Sequence, residues 1–324
     1  MHSISDYSQM IEDGIKGISL PGNPASLYEP VTYMMGMGGK RIRPVLTLIA
    51  NEMFEGNLNE AIKPALAMEM FHNFTLVHDD IMDRSELRRG NLTVHKKWDQ
   101  ETAILSGDVM LVLAYELLNK TNLEKLPEVL NVFSATAKKV CEGQQLDMTY
   151  ESTDDVSLDQ YIGMIGKKTA SLFAGSLKIG ALVAGCGAGD AENLYQFGHY
   201  AGIAFQIQDD ILDAYGKAGQ WGKTKGEDIA SDKKTFLAVK AFELAQGDIL
   251  DELKSLAGNK ELDRKSKISR TISIFNKLSI NGKAEDARDS YFNMALGCLD
   301  RIEGREEGKQ TLKEIAGTLI NRGR

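Results

Sequence analysis

The run Phe71-His72-Asn73-Phe74-Thr75-Leu76-Val77-His78-Asp79-Asp80-Ile81-Met82-Asp83 decides how this chain of 324 residues is read. Phe71, Phe74, Thr75, His78 and Asp79 fall at i, i+3, i+4, i+7 and i+8, the spacing of one face of an α-helix. The segment predicts a largely apolar helix that ends in three carboxylates. The pattern returns 130 positions later as Asp209-Asp210-Ile211-Leu212-Asp213, again in apolar helical sequence beside Phe205 and Ile207. One Asp-Asp-x-x-Asp is a weak signal, but two in one chain are a strong one.

Working outward, helical spacing recurs along the whole chain, as in Val45, Leu46 and Ile49 or Met110, Leu111, Ala114, Leu117 and Leu118. Alternating strand patterns are nearly absent. Breaks at Glu151–Asp155, Gly185–Asp190 and Gly216–Gly226 delimit roughly ten to fifteen helices joined by short loops. The expected class is all-α, with residues 1–324 forming one domain. No repeat of 20 to 50 residues stands out, which argues against a solenoid.

Hydrophobic residues make up 43% and charged residues 26%, ordinary values for a globular protein. The net charge of −8 argues against nucleic acid as a partner and makes local basic clusters informative. Cys141, Cys186 and Cys298 have neither disulfide-framework nor zinc spacing, which suits a reducing cytoplasm. Residues Met1 to Leu20 lack the basic and apolar regions of a secretion signal, and no uncharged apolar run is long enough to span a membrane.

On a helix, positions i and i+4 share a face, so the first and last carboxylates of each motif can reach one hard cation. Magnesium takes oxygen ligands, keeps several waters and bridges carboxylates to substrate phosphates. Without cations, burying six carboxylates in apolar sequence has little structural logic. The plain alternative is a solvated helix end. Asp154-Asp155 illustrates it, with its next acid, Asp159, out of register in a polar break; this reads as a loop and helix cap.

Basic groups accompany the acids. Gly38-Gly39-Lys40-Arg41-Ile42-Arg43-Pro44 sets a glycine turn and cations before a helix start that accepts Pro44, a place suited to anions. Arg88-Arg89-Gly90 follows five residues after the first motif, further cations appear at Lys167-Lys168-Thr169, and Lys223 and Lys233 lie in the polar stretch that follows the second. Acidic metal motifs beside basic groups suggest two phosphate sites, one bridged by metal and one held by Arg and Lys directly.

In this combination and order the chain resembles the trans-isoprenyl diphosphate synthases, or polyprenyl synthetases. The likeness runs from Gly39-Lys40-Arg41-Ile42-Arg43-Pro44 through His72, the Asp79–Gly90 segment, Thr93-Val94-His95, Ser106-Gly107-Asp108, Gly143-Gln144 with Asp147, Lys168-Thr169 and Phe205-Gln206 to Gly222-Lys223, Asp228 and Lys233. The resemblance implies the isoprenoid synthase fold, an antiparallel helix bundle around a deep central cavity, and commonly a homodimer. It implies magnesium, three ions with substrate bound. Asp79, Asp83 and Asp209 would be the main ligands, with Asp80, Asp210 and Asp213 supporting them. Arg88, Lys168 and Lys223 would grip an allylic diphosphate, while Lys40, Arg43, His72 and Arg89 would hold isopentenyl diphosphate. Thr224 stands where the family usually has Pro, and Ser231-Asp232 where it has Glu-Gly, in a loop that, with Lys233, the resemblance would make a lid.

The implied reaction is loss of diphosphate from the allylic substrate, attack by the double bond of isopentenyl diphosphate, and loss of a proton to the departed diphosphate. Arg88, Lys168 and Lys223 would serve the leaving group, with Thr169 and Gln206 steadying the cation. Phe74 lies about 7.5 Å along the helix from Asp79 at ~1.5 Å per residue, so with Phe71 and Thr75 it would cap a short product. In this family an aromatic five residues before the motif, with none at four and no insertion, is usual for twenty-carbon synthases; geranylgeranyl diphosphate is the expected product and farnesyl diphosphate the next. A terpene cyclase would usually carry an Asn, Ser and Glu triad in place of the second motif. A His-Asp phosphohydrolase built on His72 and His78-Asp79 would leave that motif unexplained, and a non-catalytic isoprenoid-binding subunit would be free to lose its aspartates.

Overall fold

The computed structural model describes residues 1–216, 225–259 and 261–321. Its helices are α1 (Ile4–Lys16), α2 (Ala25–Gly36), α3 (Ile42–Met53), α4 (Leu58–Met82), α5 (Val94–Lys97), α6 (Gln100–Leu118), α7 (Leu126–Glu151) and α8 (Leu158–Ile165). They continue with α9 (Ser171–Ala184), α10 (Ala188–Tyr215), α11 (Glu227–Ala230), α12 (Phe236–Leu244), α13 (Gly247–Leu256), α14 (Arg264–Lys277), α15 (Ile280–Leu299) and α16 (Glu306–Ile320). Sixteen α-helices among the described residues exceed the expected ten to fifteen because α5 and α11 are single turns, too short to leave a periodic pattern. The only strands among them, β1 (Leu87–Arg88) and β2 (Asn91–Leu92), form a two-residue antiparallel ladder.

Two compact units interleave along the sequence. One comprises Met1–Ala137, Leu172–Tyr195 and Arg301–Leu312, the other Lys138–Ser171, Gln196–Asp300 and Lys313–Arg324.

In the first unit α4 packs on α6 and α3. Asn57 caps α4 by accepting the Asn59 N–H at 3.0 Å. Eight consecutive residues, Pro64 to Phe71, are buried, so this helix is enclosed on every side over that stretch, about two turns before the acidic turn. Gly180 of α9 lets its backbone press on Thr47 of α3, where a Cβ would strike the Thr47 carbonyl. Asn51 donates to the Gly180 carbonyl across the same contact, at 3.3 Å.

In the second unit Tyr161, Ile165, Ile203, Ile207, Ile211, Phe236 and Phe275 belong to one buried cluster. Ser157 and Gln160 cap α8 reciprocally, which leaves Asp154-Asp155 in the preceding loop, as their spacing implied. Between α8 and α9 the helix widens into a π-turn over Gly166–Ala170, the stretch that carries Lys167, Lys168 and Thr169.

Candidate active site

In the first unit α4 ends at Asp83, whose N–H donates to the Asp79 carbonyl at 2.8 Å, so the two side chains leave the helix one turn apart. Asp80, next to Asp79 in sequence, is buried. Arg88 donates to it twice, from Nη2 at 2.5 Å and Nε at 3.0 Å to Oδ1, and its Nη2 also lies 4.0 Å from Asp79 Oδ2. Burial raises the Asp80 pKa and the Arg88 guanidinium pulls it back, with a net upward shift. Burial likewise opposes the Arg88 charge, but the Asp80 carboxylate outweighs it and holds that guanidinium above its ordinary value.

The β1–β2 turn explains how two adjacent arginines diverge. Arg89 and Gly90 both take positive φ, 53° and 78°, as the two central residues of a tight hairpin turn must. Arg88 is thereby sent to Asp80, and Arg89 donates to the Gly38 carbonyl. Gly39, at φ 135°, passes so close to Arg89 that an added Cβ would lie 2.8 Å from its guanidinium carbon.

Arg43, in the first turn of α3, lies 3.1 Å from His72 Nε2 on α4 and packs over the Phe173 ring at 4.8 Å. Burial, and then the Arg43 charge, hold His72 well below its ordinary pKa, so it is a neutral acceptor toward Arg43. The start of α3 has no side-chain cap, as befits a helix start available to an anion, and Lys40 is exposed just before it. Lys40, Arg43, His72, Arg88 and Arg89 thus gather in one unit.

The proposed ruler residues behave as core. Phe71 and Phe74 are buried with ring centroids 5.5 Å apart, Phe71 meets Phe133 edge-on at 5.4 Å, and Phe74 meets His78 at 4.8 Å. Thr75 is half-buried and donates to the His72 carbonyl at 2.7 Å. A small pocket of about 150 Å³ in this unit is lined by Met70, Leu113 and Leu117 among others, and by none of the site residues named above.

In the second unit Asp209, Asp210 and Asp213 lie on α10. Asp210 is buried and accepts from the Tyr161 hydroxyl, from the Phe236 N–H at 2.7 Å and from Gln206 at 3.1 Å. Burial pushes its carboxyl up to about 7 against the pull of those donors. Asp213 accepts from the N–H groups of Glu227 and Asp228 at 3.1 and 3.2 Å, and so caps the single turn of α11. The Lys233 N–H donates to the Asp228 carbonyl at 2.9 Å. Lys223 and Thr224 lie outside the described residues.

The π-turn is held from two sides. An added Cβ on Gly143 of α7 would lie 2.6 Å from Lys168 Cα, and one on Gly202 of α10 would lie 2.6 Å from Ala170 Cα. Ser171 donates its hydroxyl to the Gly166 carbonyl at 3.0 Å. Lys168 reaches Asp147 at 2.5 Å, while Thr169 donates to Gln206 at 2.9 Å, and Gln206 donates onward to Asp210.

The donor chemistry fits magnesium. Each motif offers hard carboxylate oxygens one helical turn apart, and that ion needs only one or two carboxylates plus phosphate and water. Among the described residues no three Asp, Glu, His or Cys side chains converge. No local pattern marks Tyr161, 49 positions from its partner Asp210, and Asp147 stands out only within the family pattern. Arg41 is buried despite lying in a basic run. Their signal is tertiary, and no local spacing carries it.

Residues 24–274 match the polyprenyl synthetase family, across both units. The chain is 37% identical over 322 residues to a geranylgeranyl pyrophosphate synthase of Geoglobus acetivorans, covering 98% of each chain. It is 36% identical over 321 residues to the geranylgeranyl diphosphate synthase of Methanosarcina mazei, covering 98% of this chain and 97% of the other. A crystal structure of a geranylgeranyl pyrophosphate synthase, 39% identical, superposes with a TM-score of 0.95 over the full length of both chains.

Proposed function

The chain belongs to the polyprenyl synthetase family, and from that premise we propose that it is a magnesium-dependent prenyltransferase of the isoprenoid synthase fold. It joins an allylic diphosphate to isopentenyl diphosphate, and its product is geranylgeranyl diphosphate. The observation that carries this reading is the pair of acidic helix turns, each with its own basic or polar neighbours, in a chain similar over its full length to synthases of that product. Both units belong to one catalytic domain in this reading, since the family match runs through them.

In the first unit Asp79 and Asp83 hold magnesium, and Asp80 acts through Arg88, which it keeps charged and aimed. Arg88 binds the allylic diphosphate. Lys40, Arg43, His72 and Arg89 bind isopentenyl diphosphate, where the neutral imidazole orients Arg43 without adding a charge. In the second unit Asp209 is the chief ligand, with Asp210 and Asp213 acting through the groups they hold. Lys168 serves the allylic diphosphate, joined there by Lys223 and, from the following segment, Lys233.

Magnesium, as three ions with substrate bound, supplies the positive charge that makes diphosphate a good leaving group. As the allylic carbon–oxygen bond breaks, Arg88 and Lys168 stabilise the departing oxygens, an effect that grows with the charge developing on them. Thr169 and Gln206 present oxygen dipoles to the carbocation; their mutual hydrogen bond and the link to Asp210 fix which atoms face it. The double bond of isopentenyl diphosphate then forms the new carbon–carbon bond, and the leaving diphosphate takes the proton. Phe71, Phe74 and Thr75 limit how far the growing tail can extend.

Ile104, Leu105 and Val112 leave an apolar stripe exposed on α6, which supports a homodimer. That Cys141, Cys186 and Cys298 form no disulfide among the described residues supports a cytoplasmic setting. Among the described residues no helix is long and apolar enough to cross a membrane. The test is incubation with magnesium, isopentenyl diphosphate and each allylic diphosphate in turn, followed by sizing of the products. A twenty-carbon diphosphate is expected, and a product formed without isopentenyl diphosphate would overturn the proposal in favour of a cyclase.

A further inference from the structure

Arg41 sits between Lys40 and Arg43 yet points inward. Its side chain is 2% exposed, and all three guanidinium nitrogens are engaged: Nη1 donates to Glu69 of α4 at 2.6 Å, Nε to Glu12 of α1 at 2.8 Å, and Nη2 to the Met35 carbonyl of α2 at 2.6 Å. Its backbone takes φ 45°, in the left-handed region that a branched or bulky residue enters only when its surroundings hold it there. Glu69 and His72 stand at i and i+3 on one face of α4, and they take Arg41 and Arg43 respectively. Arg89 secures the same loop from its other end through the Gly38 carbonyl.

From this we infer that Arg41 is a positioning residue for the isopentenyl diphosphate site: anchoring its guanidinium to Glu69, Glu12 and Met35 fixes the left-handed bend that presents Lys40 and Arg43 together at the start of α3. A direct contact with diphosphate is ruled out by geometry, because the whole fork is turned inward. The buried Glu69 carboxylate has a second use, since it offsets the Arg41 charge beneath a cluster of cations and lets Arg43, Arg88 and Arg89 crowd around His72. The inference rests on the proposed assignment of Lys40 and Arg43 to isopentenyl diphosphate.

The test is steady-state kinetics on the full chain with magnesium, varying each substrate separately. Arg41→Lys keeps the charge but cannot span three acceptors. It should raise KM for isopentenyl diphosphate on the order of tenfold, with kcat and KM for the allylic diphosphate changed by less than about twofold. The double variant Arg41→Met with Glu69→Leu removes the buried pair as a unit, a change that folded proteins often tolerate. It should melt near the parent temperature and still show the selective rise in KM. Equal changes in both KM values, a loss confined to the active fraction, or an unaltered KM in the folded double variant would each overturn the positioning role. Lys40→Ala and Arg43→Ala serve as controls for the premise; if neither raises KM for isopentenyl diphosphate, the assignment of the site falls and the role of Arg41 falls with it.

Discussion

The two aspartate-rich turns share one five-residue pattern but are braced by opposite means. At the first, the buried middle carboxylate, Asp80, leans on a single cation, Arg88. At the second, the equivalent Asp210 leans on three neutral donors, Tyr161, the Phe236 N–H and Gln206. The helices differ as well: five residues before the first motif α4 carries the ring of Phe74, and five before the second α10 carries the methyl of Ala204. A sequence motif thus specifies where carboxylates sit on a helix and leaves open how their charge is balanced. One brace ties the motif to the arginine proposed to face substrate, and the other ties it to the dipoles proposed to face the carbocation.

The comparison first requires both turns to be indispensable. Asp79→Ala and Asp209→Ala should each lower kcat by about a thousandfold, the scale expected when a main electrostatic contributor to the transition state is lost. Turnover within tenfold of the parent in either variant would show that its turn does not carry magnesium chemistry. Next in size, Arg88→Gln strands a buried carboxylate and should cost about 3–4 kcal/mol in urea unfolding. Tyr161→Phe, which leaves Asp210 two other donors, should cost only about 1.5 kcal/mol. Equal losses in those two variants would erase the distinction between a charged and a neutral brace. The smallest effect on rate belongs to Phe74→Ala, which should lengthen the product while changing turnover by less than about threefold; chromatography showing the same chain length would remove Phe74 from the ruler.

Much of this was legible in advance for a physical reason. Helical spacing and the aspartate pairs are local, and so are the basic runs at Lys40–Arg43 and Arg88–Arg89. What the sequence hid depends on partners distant along the chain. Arg41 reads as one more surface cation until Glu69, 28 positions away, turns it inward. The π-turn at Gly166–Ala170 has no periodic signature, because it exists where Gly143 and Gly202 allow two backbones to close on it. The alternation of the two units along the chain is hidden as well, since no shift in composition marks the crossings.

That widened turn sets a rule for how this segment can change over evolutionary time. A π-turn accommodates one residue more than an α-helix of the same height, and each α-helical residue rotates the chain by about 100°. Losing a single residue between Gly166 and Ala170 would let the turn tighten into an ordinary α-helix with the flanking helices still in register, yet remove the widened step that places Lys168 and Thr169. Length as well as chemistry is therefore the inherited quantity here, and a single-residue deletion should be as poorly tolerated as the exchange of Lys168 or Thr169 itself.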